Sequence, residues 1–324
     1  MLMHLRLTVP SALSSQVRTR LVDDEAVTNV TVSPGAVLKP EGDLIEADVA
    51  REAVSFVIDD LTDMGLGDSG GIVLCEPLAT PFQRASSVER AAHGDPDDAV
   101  IWRLLVERAK GASHITVNYL AFLVIATALA SIAVLTDSSV LVVGAMVVGP
   151  EFAAVAATCV GLAMREWHLA GRSFALLVWT FCAAIAVITA LAWVGLHVGL
   201  FDADMVTRER PQTNFIWRPD KWSFIVALLA GAAGVLAMAI DKSSAMVGVF
   251  ISVTTVPAAG NVALGLAIWD WQEIRGSLAQ LGLNIAGMLI AGVVTLVVER
   301  LVWRQLGEES RFTLTQRHFN RAHR

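Results

Sequence analysis

The chain has 324 residues, 55 % of them apolar and only 17 % charged, with a net charge of −7. A soluble globular chain carries about 25 % charged residues, so a protein immersed in water along its whole length is excluded. The negative balance also argues against nucleic acid or any other polyanion as a partner. Charge is ordinary over residues 1–112, whereas 115–298 hold long runs with almost none, and this contrast divides the chain.

Residues 2–9 (LMHLRLTV) alternate like a strand, and Pro10-Ser11 opens a helical stretch to about Leu21. Residues 26–33 and 43–49 alternate again, with a Pro-Gly turn expected at 34–35 between them. An amphipathic helix follows over about 50–64, then a strand from Gly71 to Cys75. The order βαββαβ within 1–76 predicts a small ferredoxin-like α/β domain. Such a fold hosts many functions and decides none of them. Met1 to Arg20 lacks the apolar core of a signal peptide, so this domain is expected to stay in the cytoplasm.

Gly65-Leu66-Gly67-Asp68-Ser69-Gly70 spells the dinucleotide-binding G-x-G-x-x-G. That motif works where a strand leads into a helix, because the pyrophosphate sits on the helix N-terminus. Here a helix leads into a strand, and nucleotide binding is not expected. Asn29-Val30-Thr31 fits the glycosylation sequon, which a cytoplasmic strand never presents to that machinery. Cys75, Cys159 and Cys182 are too widely spaced for a zinc site or a disulfide framework. Residues 77–96 read as a polar linker, and 97–110 as an amphipathic lead-in helix, so that 77–112 joins the two parts.

A membrane span needs about 20 mostly apolar residues. Six stretches over 113–300 qualify: about 115–135, 140–164, 174–200, 222–240, 246–268 and 279–298. Trp102, Trp167, Trp217, Trp222, Trp269, Trp271 and Trp303 lie near their ends, as interfacial tryptophans do. Arg103, Arg108, Lys110, Arg165, Arg172, Lys242 and a basic tail at 301–324 favour both termini in the cytoplasm of a multi-pass inner-membrane protein. The 201–221 connection, with Arg208, Arg210 and Arg218, weakens that bias.

An internal repeat is the most informative pattern. Asp137-Ser138-Ser139 recurs as Asp241-Lys242-Ser243-Ser244, and a proline, Pro150 or Pro257, interrupts each following span. Gly161-Leu162-Ala163 with Trp167 then recurs as Gly265-Leu266-Ala267 with Trp271, and Ser173-x-Ala175-x-Leu177 as Ser277-x-Ala279-x-Leu281. Three spans per copy would invert the second copy, a 3+3 architecture common among secondary transporters. Proline frees a backbone carbonyl, and at membrane depth that carbonyl must meet protein, water or an ion.

Glu151, in mid-span after Gly149-Pro150, is costly in hydrocarbon and is read as a proton relay or cation ligand. Thr254, Thr255 and Asn261 around Pro257 are neutral groups able to share that site with Glu151 and Pro150. For the threonines, a bond back to their own helix is the plainer account. Asn118 and Asn284 could face the same centre, although interhelical bonding is the ordinary role. Asp137, Ser138, Asp241 and Ser243 are expected to be helix caps. No catalytic triad, metal-ligand cluster or phosphate loop is legible, so neither enzyme activity nor a metal or cofactor is expected. Gly231, Gly234, Gly260, Gly287 and Gly292 suggest close helix contacts.

The segment Gly144-Ala145-Met146-Val147-Val148-Gly149-Pro150-Glu151, after Asp137-Ser138-Ser139, resembles a bacterial hydrophobic membrane family known only as domain of unknown function three-eight-nine. The similarity covers roughly 110–300, and a compact α/β domain before it fits the family too. The chain departs from the family's Ser-Pro or Ala-Pro at Gly149-Pro150, so Glu151 rests on its own chemistry. The resemblance implies the architecture and brings no activity, substrate or cofactor. The expectation is a transporter or channel for a small solute or ion, in a lipid bilayer and as a homo-oligomer, with a regulatory cytoplasmic domain. The alternative is a non-transporting membrane scaffold or sensor whose α/β domain binds a ligand or partner.

Overall fold

The computed structural model of the chain describes residues 2–92, 100–240, 248–249 and 251–322. Two compact units divide it, Met1–Arg103 with Val302–Arg324, and Leu104–Leu301.

In the first unit, β1 (Leu2–Pro10), α1 (Ser11–Val22), β2 (Val27–Leu38), β3 (Glu41–Ala50), α2 (Val54–Asp63), the short α3 (Leu66–Ser69) and β4 (Gly71–Cys75) follow in order. The sheet order is β2-β3-β1-β4, antiparallel at every pairing. This is the split β-α-β topology that the element order requires. Leu5, Leu7 and Val9 are fully buried while Arg6 between them is exposed, so the period-two pattern turns one face of β1 inward. α1 packs on β1, β2 and β3 with Val17 and Leu21, and α2 buries Val54, Val57 and Leu61. Each such side chain stabilises the unit by about 1.5–3 kcal/mol.

Two expectations here need correction. Pro34-Gly35 is not the hairpin turn but lies inside β2, where the pairing register shifts between Ser33 and Val37. Gly35 takes a φ of 64° and donates its N–H to Asp43 at 2.9 Å, and the turn falls at Lys39-Pro40. Bonds from the Ser14 hydroxyl and from Gly35 hold the Asp43 carboxyl below the usual carboxylate range. The linker is not featureless either: α4 (Gln83–Ala91) forms within it and buries Ala85 and Val88 against Leu2 and Ala50. The Gly65–Gly70 segment does lie between α2 and β4, but Leu66–Ser69 within it form the short α3, with Gly65 left-handed at φ 83° before it. The lead-in helix α5 spans Trp102–Ala112, and 93–99 lie outside the described residues.

The second unit is helical. α6 (Val117–Leu135), α7 (Ser139–Val148), α8 (Glu151–Ala163), α9 (Trp167–Val198), the short α10 (Asp204–Thr207), α11 (Lys221–Ala239), α12 (Thr255–Ile268) and α13, which opens at Trp271, follow in order. Among the described residues, α6, α9, α11 and the Trp271–Val302 part of α13 are long and apolar enough to cross a membrane. The pair α7 and α8, bent by 54° at Gly149-Pro150, would make a fifth crossing. The expected stretch 246–268 is represented by α12, which is shorter than a span, and 241–247 lie outside the described residues. Helix 174–200 starts earlier than expected, at Trp167, and the helix of 279–298 runs on without a break to Ala322, where a separate tail was expected.

The four long helices surround two short ones. Most of α8 is buried, and α12 is buried from Thr255 to Gly265, packed on α6 and α9. Trp179, Leu191, Leu229, Ile290 and Val294 on the long helices stay exposed, a surface too apolar for water. Close packing inside depends on missing side chains: a Cβ at Gly231 would press on the Met288 backbone, and one at Gly234 on the Phe152 ring. Asp220 caps α11 by accepting from the Ser223 N–H at 2.7 Å. Bonds from the Ser223 N–H and hydroxyl hold its carboxyl below the usual range. The cap therefore works above the ordinary carboxylate pKa and is lost as pH falls through the lowered value.

Gly231→Ala is expected to cost about 1–3 kcal/mol through overpacking, whereas Gly144→Ala, with open space around the new methyl, should cost nothing. Thermal unfolding of the two variants in detergent, side by side, checks this; equal melting temperatures would contradict the close contact.

Candidate functional site

The helical unit interrupts itself twice. Gly149-Pro150 ends α7, because Pro150 has no N–H to continue the ladder and Gly149 is already extended at ψ 128°. Residues 251–252 are helical, Val253-Thr254 are not, and α12 starts at Thr255. Pro257 is therefore not the break that was expected of it. It sits in the first turn of α12, where its missing N–H costs nothing.

These two helix starts meet. The Thr255 hydroxyl donates to Glu151 Oε1 at 2.7 Å, across 104 residues of sequence. Glu151 is 8 % exposed and Thr255 1 %. The other carboxylate oxygen, Glu151 Oε2, is buried and has no hydrogen-bond partner. The Glu151 residue also lines a cavity of about 10 Å³, together with Phe152, Val249, Val253, Thr255 and Met288. A Cβ at position 149 would meet Glu151 Oε2 and the Val256 side chain, so a larger residue there would have to displace them. A buried acceptor without a donor is expensive, and its depth among apolar walls makes it a functional candidate.

Thr254 belongs to a neighbouring set. Its hydroxyl oxygen accepts from Gln280 at 3.2 Å and from Asn284 at 3.0 Å, which ties the second break to α13. Asn118 is exposed and takes no part.

Asn261 lies two turns further along α12, about 9 Å from Thr255 at 1.5 Å per residue, in a different cluster. Its Oδ1 accepts from Arg210 at 3.0 Å, and its amide donates to Glu273 and to the Ser277 hydroxyl, both at 2.7 Å. Arg210 also bonds Glu273 at 2.7 Å, with the two side chains 1 % and 6 % exposed. Arg210 and Glu273 were missed as site residues. Arg210 had been counted as a loop charge, yet the 201–220 connector folds inward and carries its guanidinium into the protein. The signal was present in outline: three arginines in so short a connector violate the charge bias of the other loops.

Asp137 helps to seat the same connector. It was expected to cap α7, but the cap is Ser138, which accepts from the Leu141 N–H at 3.4 Å. Asp137, at φ 49°, accepts instead from the Gln212 N–H at 3.1 Å and the Thr213 hydroxyl at 2.9 Å. Arg208 donates to the Leu135 carbonyl at 2.8 Å. Asp241 and Ser243, the other expected caps, lie outside the described residues.

Removing one partner from a buried ion pair leaves the other charge stranded, at a cost of about 3–5 kcal/mol, whereas replacing both by apolar groups is often neutral. Glu273→Ala should therefore lower the melting temperature far more than the double variant Arg210→Met/Glu273→Leu. If the double variant is the worse of the two, the cluster holds by more than its charges.

Residues 146–290 match the family model described as domain of unknown function, DUF389. An uncharacterized protein of Methanocaldococcus jannaschii is 22 % identical over 238 residues, which cover 74 % of this chain and 70 % of that protein. No solved structure matches the chain. The matched stretch begins in α7 and ends in α13, so it takes in both interruptions and the whole of the Glu151 pairing. Over residues 146–290 the chain is thus similar to DUF389, a domain of unknown function, and that stretch is built around two interrupted helices.

Proposed function

We propose that the protein is a transporter or channel for a small solute or ion, built as two inverted three-helix copies, with Glu151 at its centre. The contact between Glu151 and Thr255 carries this reading, because a buried carboxylate between two interrupted helices is costly without a function.

The separation of that pair, 104 residues, recurs through the unit. It relates both ends of α6, Val117 and Leu135, to both ends of α11, Lys221 and Ala239. It relates the caps Thr116 and Asp220, and the N–H groups they accept from, Tyr119 and Ser223. It relates Arg165 to Trp269, both left-handed, and the long helix Trp167–Val198 to the apolar stretch Trp271–Val302. The counterpart of Pro150 at this separation is Thr254, not Pro257. If α7 with α8 crosses once, each copy has three crossings and the second copy is inverted. An inner membrane with both termini in the cytoplasm follows from the arginine and lysine bias. The N-terminal sheet domain would then regulate the helical unit from that side, and close apposition of glycine-bearing helices would serve copies of the chain as well.

Two experiments test the reading. In proteoliposomes carrying imposed Na+, K+ and pH gradients, Glu151→Gln should abolish the ion movement reported by voltage- and pH-sensitive dyes while the melting temperature holds. A silent Glu151→Gln, with deletion of 1–76 removing all phenotype, would favour a scaffold or sensor. Sidedness tests the inversion: in a background lacking Cys75, Cys159 and Cys182, single cysteines replace the exposed Arg172 and Arg275 in turn. Only the Arg275 position should label from outside intact cells, and labelling at both positions or neither would refute inverted copies.

A further inference from the structure

Glu151 and Thr255 occupy the same place in their respective copies, being the first residues of α8 and α12 and 104 residues apart. Two equivalent residues of a pair of rotated copies can touch only where the rotation axis passes. Their 2.7 Å bond therefore marks that axis, whether or not the copies are inverted. At the axis the first copy brings a carboxylate and the second a hydroxyl.

We propose that Glu151, on this axis, binds one monovalent cation, a proton or an alkali ion, with Thr255 as its partner ligand; this rests on the reading of the helical unit given above. Three observations point to it. The first is Glu151 Oε2, an acceptor buried in a side chain only 8 % exposed and lacking any donor. The second is size: the adjoining cavity of about 10 Å³ has room for no more than one water-sized particle. The third is charge. One carboxylate faces the starts of two helices, and each start brings a partial positive charge of about half a unit. The two roughly cancel, which disfavours a divalent ion and leaves room for at most one weakly held positive charge. Among the described residues, those lining the cavity apart from Glu151 are Phe152, Val249, Val253, Thr255 and Met288, which bring no second ionisable group. Among the same residues, Tyr119 on α6 is an ionisable side chain within electrostatic reach.

The oxygen set agrees. The Thr255 hydroxyl donates its hydrogen to Oε1, which leaves its lone pairs for an occupant. Pro150 and Pro257 cannot donate to the carbonyls four residues before them, Met146 and Val253, and Val253 lines the cavity. Its carbonyl accepts from the Thr255 N–H at 2.9 Å and retains a second lone pair.

The test reads occupancy and not transport, so it stands apart from the flux assay. The full-length protein in detergent is treated with dicyclohexylcarbodiimide, to which a protonated carboxyl in apolar surroundings adds to give a stable N-acylurea. Peptide mass mapping then locates the adduct. Labelling at Glu151 that rises as pH falls, and that Na+ leaves unchanged at constant ionic strength, identifies a proton site. Labelling that Na+ suppresses, with choline as the control ion, identifies an alkali-ion site. The adduct should vanish in Glu151→Gln. The exchange variant Glu151→Thr/Thr255→Glu tests the axis, and the adduct should move to position 255 with the same dependence. Should the exchange variant not fold, Glu151→Asp, which keeps the charge on a shorter arm, should still label under the same conditions. Labelling of Glu151 that is absent, or indifferent to both pH and Na+, overturns the proposal even if flux is observed, and an adduct that fails to move in a folded exchange variant overturns the axis.

Discussion

An interrupted helix inside an apolar bundle must find new partners for the backbone groups it frees, and that constraint governs the helical unit. α7 stops at Gly149-Pro150, and the helix before α12 stops at Val253-Thr254. Each is closed by the other, through Thr255 and Glu151, and the second is fastened to α13 through Thr254, Gln280 and Asn284. The long helices α6, α9, α11 and α13 then have a defined task. They wrap two short helices whose interruptions could not survive in contact with lipid.

Small residues make that wrapping possible. Where Gly231 meets the Met288 backbone and Gly234 meets the Phe152 ring, the helices approach more closely than any side chain would allow. Serine contributes the same closeness with a bond added, since the Ser131 hydroxyl reaches the Gly260 carbonyl at 3.1 Å and ties α6 to α12. In lipid, where burial of apolar surface gives helices little reason to associate, contacts of this kind carry the association.

Much of this architecture was legible in the sequence. Period-two alternation placed β1, and apolar length placed α6 and α11 within two residues of their ends, because both signals are local. What failed was non-local or depended on geometry. Pro34-Gly35 has turn chemistry, but the pairing of β2 with β3 absorbs it as an irregularity. Pro150 and Pro257 looked equivalent because proline is conspicuous, although the spacing of the other matched pairs already assigned Thr254 to Pro150. Glu151 and Thr255 could be named as candidates, since a carboxylate and a hydroxyl beside prolines are visible in a string of letters. Their contact could not. Arg210 was hardest to see, because its immediate neighbours in the chain are polar residues and a proline, and its partners lie 51 and 63 residues away in Asn261 and Glu273.

That last arrangement has a consequence for how the protein is made. Every partner of the Arg210 guanidinium comes later in the chain than Arg210 itself. When a growing chain has reached α11, the arginine has nowhere to go, because an unpaired guanidinium inside the protein is too costly. The connector must wait in water until α12 and the first turns of α13 have been synthesised and packed. By clasping residues from both halves, Leu135 and Asp137 on one side and Asn261 and Glu273 on the other, it latches the two together.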